Sequence, residues 1–566
     1  MTTEPPPELP DSPESAEFAE FDEIDESAAP PRARRPRGRW RGRLLRIFGA
    51  LVVLALTGAV TAAGLLLPVP AQVEVRPLAV RVPPVATTLV CPGPLVRPAD
   101  ARTGDSAFDP TPVDTLTQVR ALTVSGAAGS GSEVAASATL KPLAGGAPLA
   151  TIDPAGASTG ALGVSSPGVP TLLRAEPTGE APRVGGATAS LTTAGDLRGL
   201  AAESCQPPAG DQWLLGGSTA LGSSSLLVVA NPGATPAQVS IDLFGPSGKV
   251  DLAGGGGFLV APGAERALLL EGVAAEQQRI AVHVSAEGGL VTAHVQDNRL
   301  NGFTPAGTDL VSAGTAPATR QVVSGLVVRG SKIDAPDAAQ LRLLAPDADT
   351  TARIHLLGPK GPVALPGADS VDLARGEVTD LSLGGLPAGA YTAVVDADKP
   401  VTSAVMITRP GKRGPLDTVP PLERAWGAAA TPGTGGVLAL PVGVTGTVMF
   451  TGVGSDREGS GGGPATGTLR TIGANGAILD EREISVPAGS SESISVQSIA
   501  GARAKIAGFD LQVPDDASSG GAKLAWSLLA NVDAADGQLI SLLNPTTPAA
   551  AQPSVPVLRA RTLGLP

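Results

Sequence analysis

Two of the chain's three histidines lie close together in the stretch IAVHVSAEGGLVTAHVQDN, which runs from Ile280 to Asn298. If Gly288-Gly289 forms a two-residue hairpin turn, His283 faces His294 across two paired strands. Two neighbouring imidazoles are able to bind a metal ion or to sense pH. Two ligands are too few for a metal shell, however, and no third histidine or carboxylate cluster is nearby in the sequence. We therefore predict a surface pair of strand residues, with no metal, catalytic or cofactor site.

Cys91 and Cys205 are the only cysteines in the chain. The turn-like sequences CPGPL and CQPP surround them, so each cysteine is expected at the end of a strand. Two thiols alone cannot complete a tetrahedral metal shell, and no C-x-x-C redox motif is present. In an oxidising compartment an even pair is most simply a disulfide, so the sequence predicts a bridge between Cys91 and Cys205.

Other sequence patterns of enzymes are missing. No Gly-x-Ser-x-Gly elbow stands out, and the glycine runs at 254–257 and 459–463 lack the Lys-Ser/Thr of a phosphate-binding loop. The formal net charge of -12 disfavours nucleic acid as a partner, because nucleic-acid binding needs a basic face. The sequence therefore predicts a protein that is not an enzyme and does not bind nucleic acid.

One apolar run predicts where the protein lies in the cell. The run IFGALVVLALTGAVTAAGLLL covers Ile47 to Leu67 without a charged residue, which is long enough for a helix to cross about 30 Å of hydrocarbon. The arginine-rich segment from Arg32 to Arg46 precedes it, and arginines hold their end of a span in the cytoplasm. We predict a single transmembrane helix over 44–68, with the lipid bilayer as its partner and the bulk of the chain outside the cell. A cleaved signal peptide is the alternative, since Val69-Pro70-Ala71 resembles a cleavage site, but the run is long for one.

The segment before the span is unlike the rest of the chain. It is acidic and proline-rich up to Pro31 and then rich in arginine. Such a composition cannot bury enough apolar surface to offset the entropy of ordering. We predict a disordered cytoplasmic tail over 1–43, and a docking or phosphorylation segment is the alternative.

The remainder of the chain repeats itself weakly. Similar stretches begin at Trp213, Leu326 and Gly436, and each has short apolar runs separated by Gly and Pro turn signals. The first two repeats close with predicted hairpins, RIAVHVSAEGGLVTAHVQD and AYTAVVDADKPVTSAVMITR. Such patterns predict a mostly β protein built from tandem Ig-like β-sandwich units. The predicted units are a first β unit over 72–210 and β-sandwiches over 211–312, 313–425 and 426–566.

Several sequences beyond the span resemble a known family. They are CPGP from Cys91 to Pro94, GLAAESCQPPAGDQWLLGG from Gly199 to Gly217, and the NPGATPAQVSIDLFGPSG that follows. The region is similar to a family of actinobacterial membrane-anchored proteins that carries only a domain-of-unknown-function label. The resemblance implies an envelope protein, often encoded near a cell-envelope glycosyltransferase, and it supplies no catalytic residues.

These patterns favour a non-catalytic function at the cell envelope. We expect a single-pass, extracytoplasmic scaffold or interaction protein, because repeated sandwiches present edges and loops without sharing an active site. Envelope proteins and surface glycans are the candidate partners. A glycan- or ligand-binding module is the first alternative, and an extracytoplasmic hydrolase is the second.

Overall fold

Strands dominate the structure, a computed structural model, and its sheets are antiparallel. The predicted mostly β class is therefore confirmed. Residues 1–39, which hold the acidic tail and most of the arginine-rich segment, lie outside the described residues. The structure describes residues 40–66, 78–81, 84–96, 115–126, 134–179, 181–365, 369–415, 418–499, 505–514, 521–547 and 554–557.

One long helix, α1, spans Trp40–Leu66. It begins four residues before the predicted segment, 44–68, and overlaps most of it. Side chains are described for residues 46–62 of this helix, and all of them are exposed. No helix in the described part of the chain combines the length and the apolarity that crossing a membrane requires. Leu67 and Pro68, the end of the predicted span, lie outside the described residues.

The chain separates into two compact units, Met1–Leu78 with Leu558–Pro566 and Ala79–Val557. Helix α1 belongs to the first unit, and the sheets considered below belong to the second. Two short strands, β1 (Leu78–Arg81) and β35 (Ser554–Val557), stand at the ends of the strand-rich region.

The second unit contains, within the described residues, four pairs of sheets with one strand order. If the strands of each pair are counted along the chain, one sheet has the order 1-6-3-4 and the other has 5-2-7-8. The first pair consists of β2 (Thr87–Cys91), β3 (Leu116–Val124), β4 (Ala138–Pro142), β5 (Ala150–Ile152), β6 (Thr159–Ser165), β7 (Thr171–Ala175), β8 (Arg183–Thr192) and β9 (Gly199–Ser204).

The second pair adds one short strand, because both β13 and β14 pair with β12 at position four. It consists of β10 (Asp211–Leu215), β11 (Ser223–Ala230), β12 (Ala237–Gly245), β13 (Gly248–Val250), β14 (Gly257–Val260), β15 (Glu265–Leu269), β16 (Ala281–Glu287), β17 (Thr292–Asn301) and β18 (Thr304–Ser312). A single 3-10 turn, Leu270–Gly272, follows β15.

In the third pair one long strand, β25, supplies both position six and position seven, so the two sheets are continuous through it. Both β22 and β23 pair with β21 at position four. The pair consists of β19 (Ala318–Val328), β20 (Gln340–Leu344), β21 (Thr350–Gly358), β22 (Gly361–Val363), β23 (Ser370–Leu373), β24 (Val378–Ser382), β25 (Gly389–Pro410) and β26 (Leu422–Ala428).

The fourth pair repeats the order of the first and includes a single helical turn, α2 (Val496–Ile499). Its strands are β27 (Gly436–Ala439), β28 (Thr445–Val453), β29 (Ala465–Gly473), β30 (Ile478–Val486), β31 (Ser491–Ser495), β32 (Ile506–Gln512), β33 (Lys523–Ala534) and β34 (Gly537–Leu543).

The sequence alternation explains how each pair closes over a core. Along β12, Val239, Ile241 and Leu243 are buried, while Gln238 and Ser240 between them are exposed. Strands β21 and β29 occupy the same position in their pairs and show a similar alternation. Because successive side chains point to opposite faces, each such strand buries one apolar row against the facing sheet. A fully buried Val, Leu or Ile stabilises the fold by about 1.5–3 kcal/mol.

The predicted hairpin around Gly288-Gly289 is wrong. Strand β16 pairs with β10 and β12, whereas β17 pairs with β11 and β18 in the facing sheet. The apolar rows of both strands do enter one core, but they enter it from opposite sides. Alternation alone cannot separate a hairpin from a crossover, because both bury every second residue. The second predicted hairpin is likewise one continuous strand, β25, which passes from one sheet to the other.

The eighth strand of every pair lies at the edge of its sheet and turns toward the middle of the unit. Strand β9 contacts β18 and β34, and β26 contacts the same two strands, so the four edges close a ring. We call β9, β18, β26 and β34 the closing strands. An edge strand carries backbone N–H and C=O groups that its own sheet does not pair, and the ring must satisfy them.

Candidate functional site

Acidic and hydroxyl side chains fill the middle of the ring of closing strands. Glu203, Asp309, Glu423 and Ser541 come from the first, second, third and fourth sheet pairs, and none is more than 3% exposed. Buried polar groups of this kind are retained only where partners replace the water they have lost. The contacts of each residue therefore decide what the centre can do.

Asp309 links three closing strands. Its Oδ2 accepts a hydrogen bond of 2.7 Å from the backbone N–H of Trp426, and its Oδ1 lies 2.7 Å from Ser541 Oγ. The Ser541 hydroxyl also accepts the N–H of Ala202, and its single proton serves either Asp309 or the Ala202 carbonyl 3.0 Å away. Burial raises the pKa of Asp309 well above its usual value, although these hydrogen bonds oppose the rise.

Glu423 links a second set of strands. Its Oε1 accepts the N–H of Leu200 at 2.9 Å and the N–H of Ile540 at 3.3 Å. Its Oε2 lies 3.5 Å from Arg198, whose guanidinium also pairs bidentately with Asp536 at 2.6 and 3.0 Å. Burial raises the pKa of Glu423 well above its usual value. The carboxyl group therefore supplies the hydrogen-bond acceptor that a neighbouring strand would otherwise provide for these two N–H groups of the closing strands.

A tryptophan and two arginines extend this polar centre toward one side. Trp426 Nε1 donates a hydrogen bond of 2.8 Å to Asp297, and Arg424 Nη1 lies 3.5 Å from the same carboxylate oxygen. The guanidinium groups of Arg342 and Arg424 lie 4.8 and 5.5 Å from the Trp426 ring centroid. Arg342 also pairs with Asp380 at 2.7 and 2.8 Å.

The two predicted histidines occupy different environments, and the prediction of one surface pair is therefore wrong. His294 is 16% exposed, and its Nδ1 lies 3.8 Å from Glu203 Oε2. Burial lowers the pKa of His294 to about 4, so the imidazole is neutral at neutral pH. The cavity beside His294 and Glu203 measures about 10 Å³, which is no more than one water needs.

His283 lies on the outer face of β16. Its Nε2 is 2.8 Å from Asp211 Oδ2, its Nδ1 is 3.6 Å from Asp242 Oδ2, and its ring stacks on Trp213 at 4.2 Å. Lys249 pairs with the other oxygen of Asp242 at 2.8 Å. Throughout the described ranges, no group of three or more His, Cys, Asp or Glu side chains is arranged to hold a metal ion.

The predicted disulfide between Cys91 and Cys205 is present, and it joins two sheets of the first pair. Cys91 ends β2 and Cys205 follows β9, and both are fully buried. The backbone groups of Val90 and Gln206 exchange two hydrogen bonds beside the bridge. The bridge therefore fixes the beginning of the first pair to the end of its closing strand.

Clefts open where neighbouring sheet pairs meet. One cleft, which we call the apolar cleft, lies between the second and third pairs and measures about 620 Å³. Its lining includes Leu221, Phe303 and Arg424. A second cleft of about 700 Å³ lies between the third and fourth pairs, and Arg320 and Lys523 are among its lining residues. A further cleft of about 450 Å³ also reaches Lys523. Neither Asp309 nor Glu423 lines these three clefts.

A family model described as Family of unknown function (DUF5719) matches residues 159–497, more than half of the chain. The chain belongs to this family. The DUF5719 match begins with β6 and ends inside α2, so it includes three of the four closing strands but leaves out β34. Every residue that lines the apolar cleft lies inside the match. Among curated proteins, no match to the chain is found.

The sequence pattern missed the buried centre of the DUF5719 protein. Glu203, Asp309 and Glu423 each interrupt an apolar strand, in GLAAES, TPAGTDLVS and LERAWGA. Each also falls on the last strand of a repeat. A charge inside an apolar strand signals a buried polar contact.

Proposed function

We propose that this DUF5719 protein is a non-catalytic, single-pass scaffold of the cell envelope whose sheet pairs present binding surfaces outside the membrane. The observation that carries the proposal is the ring of closing strands. Each sheet pair commits its edge strand to the shared centre, where the first three pairs add an acidic side chain and the fourth adds Ser541. Asp309 and Glu423 accept backbone N–H groups there. The result is one rigid body with loops and clefts at its surface, which suits binding rather than turnover.

We further propose that each sheet pair is an Ig-like β-sandwich. Two antiparallel sheets of four or five strands face each other across an apolar core, as in that architecture. The strand order departs from the immunoglobulin order, because strand one lies beside strand six and not beside strand two. The likeness is therefore one of architecture, and it extends to four units in tandem.

The sequence and the helix support an envelope location. Large apolar side chains on the described part of α1 are exposed on every side, which is costly in water and favourable in lipid. Arginines precede this helix, and an oxidised Cys91–Cys205 pair follows it, as expected for a chain whose bulk lies outside the cytoplasm.

A glycan-binding module is the second candidate, and the cleft between the third and fourth pairs favours it. Arg320 and Lys523 line that cleft together with the hydroxyl groups of Thr315, Thr431 and Ser455. Cations and hydroxyl groups of this kind suit an anionic sugar. The hydrolase alternative is weaker, since the acids Glu203 and Asp309 are buried together in the centre, where substrate cannot reach them.

Topology and particle size test the proposal together. In cells, a membrane-impermeant maleimide should label Lys399→Cys, on an exposed stretch of β25, without permeabilisation and should label Ser12→Cys only after it. After mild extraction from native membranes, the 56.0 kDa chain should migrate in a larger complex of fixed composition. Labelling of Ser12→Cys from outside would overturn the location, and a lone chain would overturn the scaffold role.

A further inference from the structure

We propose that the apolar cleft between the second and third sheet pairs binds an amphipathic anion, a molecule that joins an apolar chain to a phosphate or carboxylate group. The cleft volume of about 620 Å³ lies within the usual range of small-ligand sites. The inference goes beyond the scaffold role and does not depend on it, because residues of these two sheet pairs alone would hold the ligand.

Two large apolar side chains form the lip of the cleft. Leu221 is 85% exposed and Phe303 is 94% exposed, although exposed residues of this size and apolarity are disfavoured in water. They stand on adjacent turns, because Leu300 donates its N–H to the carbonyl of Gly222. Leu422 and other apolar side chains continue the lining inward. An apolar chain entering the cleft would therefore cover both lip residues.

Two arginines supply the charge. Arg299 is exposed at the rim, and no carboxylate forms an ion pair with it among the residues that the structure describes. Arg424 also lines the cleft and is only 5% exposed, and its one ion pair among the described residues is with Asp297, at 3.5 Å. That carboxylate oxygen also accepts the Trp426 indole N–H, so its charge is shared.

The charges around Arg424 add to the case. Burial lowers the pKa of its guanidinium, and the neighbouring Arg299 and Arg342 reinforce this effect. Asp297 opposes it, as does Asp380, which pairs with Arg342. Guanidinium groups that repel one another in a half-closed cleft are stabilised by an added anion. Gln340 and Asn301 line the same cleft and offer amide donors to the remaining oxygens of the anion.

The binding test uses the full chain in nanodiscs of zwitterionic phosphatidylcholine, with octyl phosphate as the probe and equilibrium dialysis as the measurement. Octyl glucoside supplies the same chain without charge, and inorganic phosphate supplies the charge without a chain. Octyl phosphate should bind more tightly than both. Equal binding of octyl glucoside, or equal binding of inorganic phosphate, would overturn the proposal.

Substitutions place the binding in the cleft. Arg299→Gln and Phe303→Ser should each weaken octyl phosphate binding about tenfold, the effect expected for one charge-assisted contact or one buried aromatic ring. Arg353→Gln, at a half-buried position, and Leu259→Ser, at an exposed one, are controls outside the cleft and should bind as the unaltered chain does. Equal losses in the controls would overturn the assignment.

A second measurement covers the case in which a cleft variant fails to fold. A diazirine-bearing alkyl phosphate should crosslink the unaltered chain within 221–222, 299–303 or 422–424, the segments that contribute these lining residues to the cleft. Crosslinks confined to segments outside the cleft would overturn the site. Adding phosphatidylglycerol to the nanodisc distinguishes the source of the anion. Competition with octyl phosphate would assign the site to a bilayer lipid, and its absence would assign the site to a free amphiphile.

Discussion

The carboxylate of Glu423 accepts the backbone N–H of Leu200, a residue 223 positions earlier in the chain and in a different sheet pair. The same oxygen accepts the N–H of Ile540, which lies in the fourth sheet pair. One side chain therefore joins the first, third and fourth sheet pairs. Without it, two edge N–H groups would be buried without an acceptor, and each such loss costs about 1–3 kcal/mol.

Replacing Glu423 should separate its role as a hydrogen-bond acceptor from the effect of its charge. Glu423→Ala removes the acceptor and should lower the free energy of unfolding by about 3 kcal/mol. Glu423→Gln keeps a carbonyl oxygen for the two N–H groups and should cost less. Urea unfolding of the full chain measures both effects, and Glu492→Ala at an exposed position of β31 is the control. Equal losses in the Ala and Gln variants would contradict the capping role.

Asp309 should make the fold less stable as the pH rises. Because its pKa is raised in the folded chain, the folded state holds a proton that the unfolded chain releases above about pH 4. The stabilisation is complete below the unfolded pKa and is lost as the pH climbs through the folded pKa. Asp309→Asn cannot ionise, so its stability relative to the unaltered chain should improve from pH 5 to pH 8. A constant difference across that range would be incompatible with the raised pKa.

His294 should make the fold less stable as the pH falls, which is the opposite of the effect of Asp309. Its folded pKa of about 4 lies below the ordinary imidazole value of 6.5, so the unfolded chain takes up a proton first as the pH falls. The resulting loss of stability between pH 6.5 and pH 4 amounts to about 3 kcal/mol for this residue. His294→Gln should remove that loss. Ser312→Ala, at the position paired with His294, is the non-titrating control, and an unchanged acid response in the Gln variant would refute the assignment.

The Cys91–Cys205 bridge closes a loop with a sequence separation of 114. In the chain-entropy account, a loop of that length raises the free energy of unfolding by about 4–5 kcal/mol. The double variant Cys91→Ala with Cys205→Ala should lose about that amount under identical buffer conditions. Non-reducing peptide mapping of the unaltered chain provides the check, since two free thiols there would remove the basis of the prediction.

The sequence was a good guide to local structure and a poor one to assembly. Turn signals and apolar alternation, as along β12, predicted strands and a mostly β chain, and the two cysteines predicted their own bridge. The position of His294 could not be predicted, because the same alternation fits a hairpin and a crossover between sheets. Glu423 was missed for a related reason: the partners of its carboxylate are backbone groups far away in the chain, and no local pattern marks them.

The four sheet pairs should unfold as one body, because their closing strands hold them together. Hydrogen exchange with mass spectrometry, along a gradient of urea and at peptide resolution, distinguishes this behaviour from four independent domains. Peptides that contain β9, β18, β26 and β34 should lose protection together, with one common free energy of opening. Separate opening of the four peptides, each at its own urea concentration, would show that the sheet pairs are independent and that the closing strands do not unite them.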